Sequence, residues 1–476
     1  MPLKAKITQP AWVKGTRYYS TPTEDLLKEQ PGDEADDVIF TNTYGVRSIE
    51  LNRPKKLNSL NGSMARKIIP RLQEWQNSQL ANVVVIKGSG RAFCAGGDVA
   101  ALAEWNTQGK DGQQKSTDYF GLEYKLDHLI ATYSKPYVAF MDGITMGGGV
   151  GLSVHAPFRI ATENTLFAMP ETTIGFFPDV GASFFLPRMD GEMGTYLALT
   201  SEQLKGVDVF YHGVATHYID SASLPDLEAR LAELVFADHL SLQERYRIVD
   251  ATIEEYCTGL PTDRAQISGK LREAVDLCFS DDHQNIKEVF SALAAVEKAS
   301  DPVLSNWAKK TSETMHTRSP TSVLVTLQQM RVGQSWNIAE AFQNEYNIAA
   351  KFMAHDDFVE GVTARLIRRI KERPQWKPNT FDEVSADEVS DFFRRSETLP
   401  LINHGEGSTY KEYPHEWLSL PREREVRQVV TKGELKTADE IVNHFVEQRN
   451  GKQGVREKVT EILERIMAGE GLVRTS

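Results

Sequence analysis

Apolar and polar positions change their period along this chain, and the change divides it. From residue 38 to 52 apolar residues alternate around Asn42-Thr43-Tyr44-Gly45, the pattern of a hairpin. Residues 63–77 repeat an apolar side chain every three or four positions, which predicts an amphipathic helix. Short apolar runs at 83–87, 136–141, 158–162 and 166–169 have the length of strands. Strands and helices thus mix through the first half, an α/β pattern. Beyond about Leu224 the period is almost wholly helical, through 227–236, 242–257, 286–299, 322–330 and 338–353. The polar stretch 106–117, rich in Gly, Gln and Lys, predicts a flexible loop placed to gate a site. Two helix-like stretches, 438–448 and 455–467, close the chain.

Two of the strand-like runs lead into glycine turns. Arg91-Ala92-Phe93-Cys94-Ala95-Gly96-Gly97-Asp98 follows the first, and Gly147-Gly148-Gly149 follows another and precedes 150–154, which reads as the first turns of a buried helix. Glycine lets a ligand approach the backbone, and free N–H groups at a helix start stabilise a carbonyl oxygen gaining negative charge. Two turns could supply two donors. Carboxylates follow at Glu171, in MPETTIGFFPDVG, and at Asp179 in the same segment; Glu123 lies earlier, in the helical stretch 119–131. Hydrolysis of a thioester needs a positioned water or nucleophile, an oxyanion trap and a proton for the departing thiolate, and these groups could meet all three needs. Each acid alone has a plain structural reading. Glu171 could be a first-turn helix charge, Asp179 an N-cap and Glu123 a solvated helix face. The two glycine turns in register with them favour chemistry.

The paired turns, with RPKKLNSLN at 53–61 and MPETTIGFFPDVG, resemble the crotonase (enoyl-CoA hydratase/isomerase) superfamily. That resemblance implies a spiral of strand-strand-helix units followed by a helical domain, and an oxyanion hole from the Gly97 and Gly148 amides. Hydratases carry a glutamate three places after the middle glycine; here that position is Gly151. The other hydratase glutamate maps onto Glu171, and Asp179 stands where hydratases usually carry glycine. MGGGVGLSVH together with PETxIGxFPDVG is similar to the 3-hydroxyisobutyryl-CoA hydrolases of valine catabolism, over about residues 38–393. The similarity implies Glu171 as general base or nucleophile, Asp179 positioning water or the substrate hydroxyl, and Glu123 in contact with substrate. Arg53, Lys55 and Lys56 sit where superfamily members approach the nucleotide end of coenzyme A; Arg365, Arg368, Arg369 and Lys371 form a second basic cluster that is a solvated face just as readily. Coenzyme A belongs to the substrate, so no separate cofactor and no metal are expected.

Composition narrows the alternatives. A formal net charge of −12 argues against a whole-surface nucleic-acid binder and leaves RNA contact only to local basic patches. No apolar run approaches a membrane span. The three cysteines, Cys94, Cys257 and Cys278, have no paired spacing, and His128, His155, His212 and His217 lack metal-ligand spacing and read as packing or surface residues. Residues 1–23 hold Lys4, Lys6, Lys14 and Arg17 without an acid, the composition of a transit peptide, with cleavage expected after Tyr19 and a mitochondrial matrix destination. The expected organisation is a leader at 1–19, an acidic linker at 20–37, the site-bearing core at 38–224, a helical domain at 225–395 and an extension at 396–476. Tyr410, Tyr413, Trp417, Arg422 and Arg424 give that extension interface-like content. It either covers the protein's own surface or docks a partner, since some mitochondrial homologues of the hydrolases are built into the small ribosomal subunit. A hydratase or isomerase is the rival enzyme, disfavoured by Gly151.

Overall fold

The computed structural model describes residues 27–473 other than 263, 264, 406 and 436, so the leader expected at 1–19 lies outside the described residues. The hairpin forms as β1 (Val38–Thr43) and β2 (Val46–Leu51), and the helix at 62–77 as α1 (Gly62–Asn77), its first turn capped by the Asn61 side chain on the Met64 N–H. There follow β3 (Val83–Gly88), β4 (Ala92–Cys94), α2 (Val99–Asn106), α3 (Lys110–Ala131), β5 (Tyr137–Phe140), β6 (Ile144–Met146) and α4 (Gly148–Val154). Then come β7 (Phe158–Ala161), β8 (Leu166–Ala168), β9 (Leu204–Lys205) and β10 (His217–Tyr218).

Successive strands fall into two sheets, one of order β1-β2-β3-β5-β7-β10 and one of order β4-β6-β8-β9. After the β1-β2 hairpin, which stays in the large sheet, the pairs β3-β4, β5-β6 and β7-β8 each send the first strand to the large sheet and the second to the small one, which is the spiral of strand-strand-helix units. The large sheet is covered on both faces, and its strands alternate accordingly. Val84 and Ile86 join the main core, while Val83 and Val85 join a second cluster beneath Leu227, Leu231 and Val249 of the first helices after residue 224.

The flexible loop expected at 106–117 is not there. Residues 110–131 are one helix, α3, preceded by Gly109 at its N-cap. Gly112, whose presence suggested mobility, is a packing residue: a Cβ there would overlap the Trp105 carbonyl. Lys115 lies 3.9 Å over the Trp105 ring and Gln114 donates to Asp118 at 3.0 Å, so the polar residues sit on the outer face of a regular helix. The inner end is different. From Tyr119 to Ala131 every residue is buried, Glu123, Asp127 and His128 included.

The acidic segment 27–37 is also tied down, by Arg66 on Asp33, Lys67 on Asp37 and Arg53 on Glu34 at 2.9 Å. The carboxy-terminal extension is internal in the same sense. Leu399, Leu401, Leu420, Val426, Ile441, Phe445, Val455, Val459 and Ile462 all belong to the main core. Tyr413, read as an interface residue, accepts from Arg159 Nη1 at 2.8 Å and donates to the Ala156 carbonyl at 2.6 Å. Tyr410 packs edge-on against Phe184 at 5.4 Å, and Trp417 against the second cluster. Arg422 pairs with Glu416, as does the exposed Arg424 at 2.7 Å. Lys452 reaches a socket of His217, Asp250 and Glu254, three groups spaced as metal ligands, and its ammonium bonds the Glu254 carboxylate. Despite burial, His217 and Lys452 hold the Glu254 carboxyl down at about 2.

Burying each large aliphatic side chain contributes about 1.5–3 kcal/mol, and removing the extension would also expose the apolar core surface it covers. A chain ending at Glu397 should lose cooperative melting and bind a hydrophobic dye. A truncated protein melting within a few degrees of the full chain would show that the extension is dispensable to the fold.

Candidate active site

Gly97 and Gly148, some fifty residues apart in sequence, lie against each other. A single parallel bridge joins Gly97 to Leu60, and it uses flanking groups: Leu60 N–H to the Gly96 carbonyl and Asp98 N–H to the Leu60 carbonyl, both 2.8 Å. Gly97's own N–H points to the opposite side. Gly148 opens α4 after Gly147, which has a φ of 45°, and in the first helical turn its N–H has no carbonyl four residues back. A Cβ on Gly148 would stand 3.4 Å from the Gly97 nitrogen and would collide with Glu123 Oε1; one on Gly147 would stand 3.1 Å from Glu171 Oε1. Glycine is required here by space. The same contacts place two carboxylates beside the paired amides.

Glu171 begins a short 3-10 turn (Glu171–Ile174) and is buried, its Oε2 without a partner. Glu123 enters from α3, also buried, with Oε1 unpartnered and the Tyr119 hydroxyl near its carboxyl. Asp179 accepts from Tyr124 Oη at 2.8 Å and does not cap the following helix, whose N-cap is Gly181. Burial raises the Glu123 and Glu171 carboxyls well above the usual range, each raised further by Asp179, and it pushes Asp179 up to about 7 against the pull of Tyr124. Cys94 is buried beside the turn and its thiol is pushed up to about 12, so it is no nucleophile.

The turn carrying Asp179 is held by three further side chains, none visible as a motif. Gln329 donates to the Pro178 carbonyl at 2.7 Å, and His155 Nε2 donates to the Val180 carbonyl at 2.8 Å. Glu345 accepts from Gly181 N–H at 2.6 Å and from Ser183 N–H at 2.9 Å. Between these, Val180 adopts a φ of 56°, which costs a β-branched residue about 1–3 kcal/mol. His155, read as a packing residue, is thus a buried donor, kept neutral by burial that lowers it to about 4. Burial pushes Glu345 up to about 8. The extension stands one layer behind, where the Ser408 carbonyl meets His128 Nε2 at 3.0 Å.

The basic residues assigned to the nucleotide end divide. Arg53 is buried and its guanidinium serves Glu34, Asp98 and the Ser59 carbonyl, while Lys56 pairs with Asp98 at 3.0 Å and Lys55 is exposed. Arg53 and Lys56 line a groove of about 510 Å³ that continues past Arg66, Trp105 and Lys115 to Tyr119, next to Gly97. The second cluster stands on the turn after Val362, where Arg365 bonds the carbonyls of Ile370 and Lys371 and Arg368, Arg369 and Lys371 are exposed.

Two glycine turns packed together on adjoining turns of the spiral and bordered by buried acids form the candidate site. The chain matches the enoyl-CoA hydratase/isomerase family model over residues 46–393, and it belongs to that family. It is 54% identical over 473 residues to the small ribosomal subunit protein mS47 of Neurospora crassa, a match covering 98% of this chain and 92% of that protein. It is 42% identical over 366 residues to the mitochondrial 3-hydroxyisobutyryl-CoA hydrolase of Gallus gallus, covering 76% of this chain and 90% of the hydrolase. The crystal structure of a carnitinyl-CoA dehydratase from Mycobacterium thermoresistibile superposes with a TM-score of 0.67 at 31% identity, covering 78% of this chain and all of that one.

Asp179 gives the site a measurable pH signature. Its carboxyl is neutral in both states below its ordinary value of 3.8. As pH rises from there the unfolded chain ionises first and stability falls, until the penalty is complete above about 7, on the order of 4 kcal/mol. Asp179→Asn, still able to accept from Tyr124, should therefore raise the melting temperature at pH 8 and leave it nearly unchanged at pH 4. Equal melting of parent and variant at pH 8 would show the carboxylate is not held at that cost.

Proposed function

We propose that this protein hydrolyses the thioester of 3-hydroxyisobutyryl-CoA, releasing 3-hydroxyisobutyrate and coenzyme A. The observation that carries the reading is the packing of the Gly97 and Gly148 turns against Glu123 and Glu171, with Asp179 close by. The thioester oxygen takes both amide N–H groups, which are fixed in place and bond it more strongly as negative charge develops. Glu171 removes a proton from water as the water oxygen bonds to the carbonyl carbon; alternatively its carboxylate attacks directly through a mixed anhydride. Asp179 orients the water or the substrate hydroxyl and passes the proton on. The C–S bond then breaks and the sulfur leaves as the protonated thiol. Glu123 contacts the acyl group, and the groove at Arg53 and Lys56 receives the nucleotide end. No cofactor beyond the substrate's own coenzyme A is invoked.

Gly151 separates this reading from hydration. A hydratase uses two glutamates on its water, and here only Glu171 of that pair exists. The mitochondrial hydrolase of Gallus gallus matches at 42% identity, which supports the assignment and a mitochondrial location; the matrix as its compartment is part of the proposal.

A second reading has its own support. The match to mS47 extends through the carboxy-terminal extension, whereas the hydrolase match covers three quarters of the chain. We infer that the protein also assembles with the mitochondrial small ribosomal subunit. The extension's inner faces are committed to its own core, so any docking uses outward faces. Sedimentation of the native protein in mitochondrial lysate at low salt tests this, and absence from ribosomal fractions would discard it.

Purified protein should release thiol from 3-hydroxyisobutyryl-CoA and leave the enoyl absorbance of crotonyl-CoA unchanged. Glu171→Gln should lower kcat by roughly 10²-fold or more with binding largely kept. Thiol release at the parent rate from that variant would remove Glu171 from the mechanism.

A further inference from the structure

Asp127 has no part in that scheme, yet it is built into the same helix. It lies one turn beyond Glu123 on α3, is fully buried, and neither carboxylate oxygen has a hydrogen-bond partner. Across from it is Gly151, where a Cβ would stand 2.5 Å from Asp127 Oδ2. Position 151 is the one at which hydratases carry their second glutamate. In this chain a carboxyl fills that space from the neighbouring helix, and only glycine leaves it room.

The surroundings decide its charge state. The titratable groups that face Asp127 are Glu123 on its own helix, Cys94 from β4, Tyr119 from α3, Tyr137 from β5, Asp179 from its turn and Glu345 from the helix Ile338–Met353. No cation is among them. Burial, then Glu123, Asp179 and Glu345, raise its carboxyl well above the ordinary range. A carboxylate without donors or counter-charge is strongly disfavoured in such a place, and the protonated acid has an O–H to donate. Glu123 Oε1 is the matching orphan: buried, unpartnered, and four residues back on the same helix, the spacing at which side chains meet.

We propose that Asp127 is a positioning residue, a neutral carboxylic acid whose O–H donates, directly or through one water, to Glu123 Oε1 and holds that acid beside Gly148 and the thioester. The role rests on the reading that Glu123 contacts substrate. Donation from Asp127 stabilises the ionised form of Glu123 and restricts its rotamer. It also explains why the helix keeps a fully buried aspartate where an apolar residue would pack without cost.

Two substitutions separate donation from mere space filling. Asp127→Asn keeps a neutral donor and should restore kcat to within about threefold of the parent with an unshifted pH profile, whereas Asp127→Val, which has no donor, should lower kcat roughly tenfold. The Val variant should also move the limb controlled by Glu123 to higher pH, with KM little altered. A Val variant with the parent's kcat and profile, or an Asn variant as impaired as Val, would overturn the proposal. A third measurement needs no turnover. The full-length protein at pH 7 should show a protonated-carboxyl stretch in the infrared that loses one component in Asp127→Asn, visible as a band in the parent-minus-variant difference spectrum, and a difference spectrum without that band would show that Asp127 is ionised. Because that band does not depend on thiol release, failure of this proposal is distinguishable from failure of the hydrolase reading.

Discussion

Five carboxylates, Glu123, Asp127, Glu171, Asp179 and Glu345, share one buried region, and among the described residues none forms an ion pair with a Lys or Arg. Taking so many acids out of water is the costliest thing this fold does, and the structure around them answers to it. Desolvation dominates each shift, so all five carboxyls are raised. Asp179, pushed up to about 7, is thereby able to hold and exchange a proton near neutral pH, a property suited to general acid and base chemistry. A cation placed among the five acids would stabilise the fold and abolish that property.

Geometry is enforced by the same means in both halves of the site. The paired amides depend on close approach, since any side chain at Gly148 meets Glu123 and any at Gly149 meets Cys94. Asp179 depends on a turn that is unfavourable locally, with Val180 in the left-handed region. Gln329, His155, Tyr124 and Glu345 over-determine that turn, and each comes from a different stretch of chain. Strain of this kind persists only where surrounding bonds exceed its cost.

The carboxy-terminal extension belongs to this support. Its Ser408 carbonyl meets His128, its Tyr413 bridges Arg159 and the Ala156 carbonyl, and Lys452 closes the His217, Asp250 and Glu254 socket. An ammonium thus takes the place among these three groups that an ion could occupy. A protein of this architecture can present outward helix faces to a partner while its inner faces brace the acids, so enzyme and assembly component are compatible uses of one chain.

Local pattern was enough for β1, β2, β3, β5, β7 and β8, for α1 and for the helical second half, but not for the two- and three-residue strands β4, β6, β9 and β10; the family resemblance named Gly97, Gly148, Glu171 and Asp179, which the structure brings together. Period and turn chemistry are properties of neighbouring residues, and the two glycine turns carry recognisable spacing. The first part of the helix at 110–131, before Tyr119, was not legible, because Gly112 and its polar neighbours look mobile until Trp105 is seen packed against them. His155, Gln329, Glu345 and Asp127 were not legible either. Each is an ordinary residue in its own segment, and its part in the site arises from a partner between 25 and 164 positions away or, for Asp127, from the burial of a whole helix. The extension's interface-like aromatics left self-covering and docking both open for the same reason. Composition reports what a surface can bury, and only tertiary packing decides whether it is buried against its own chain.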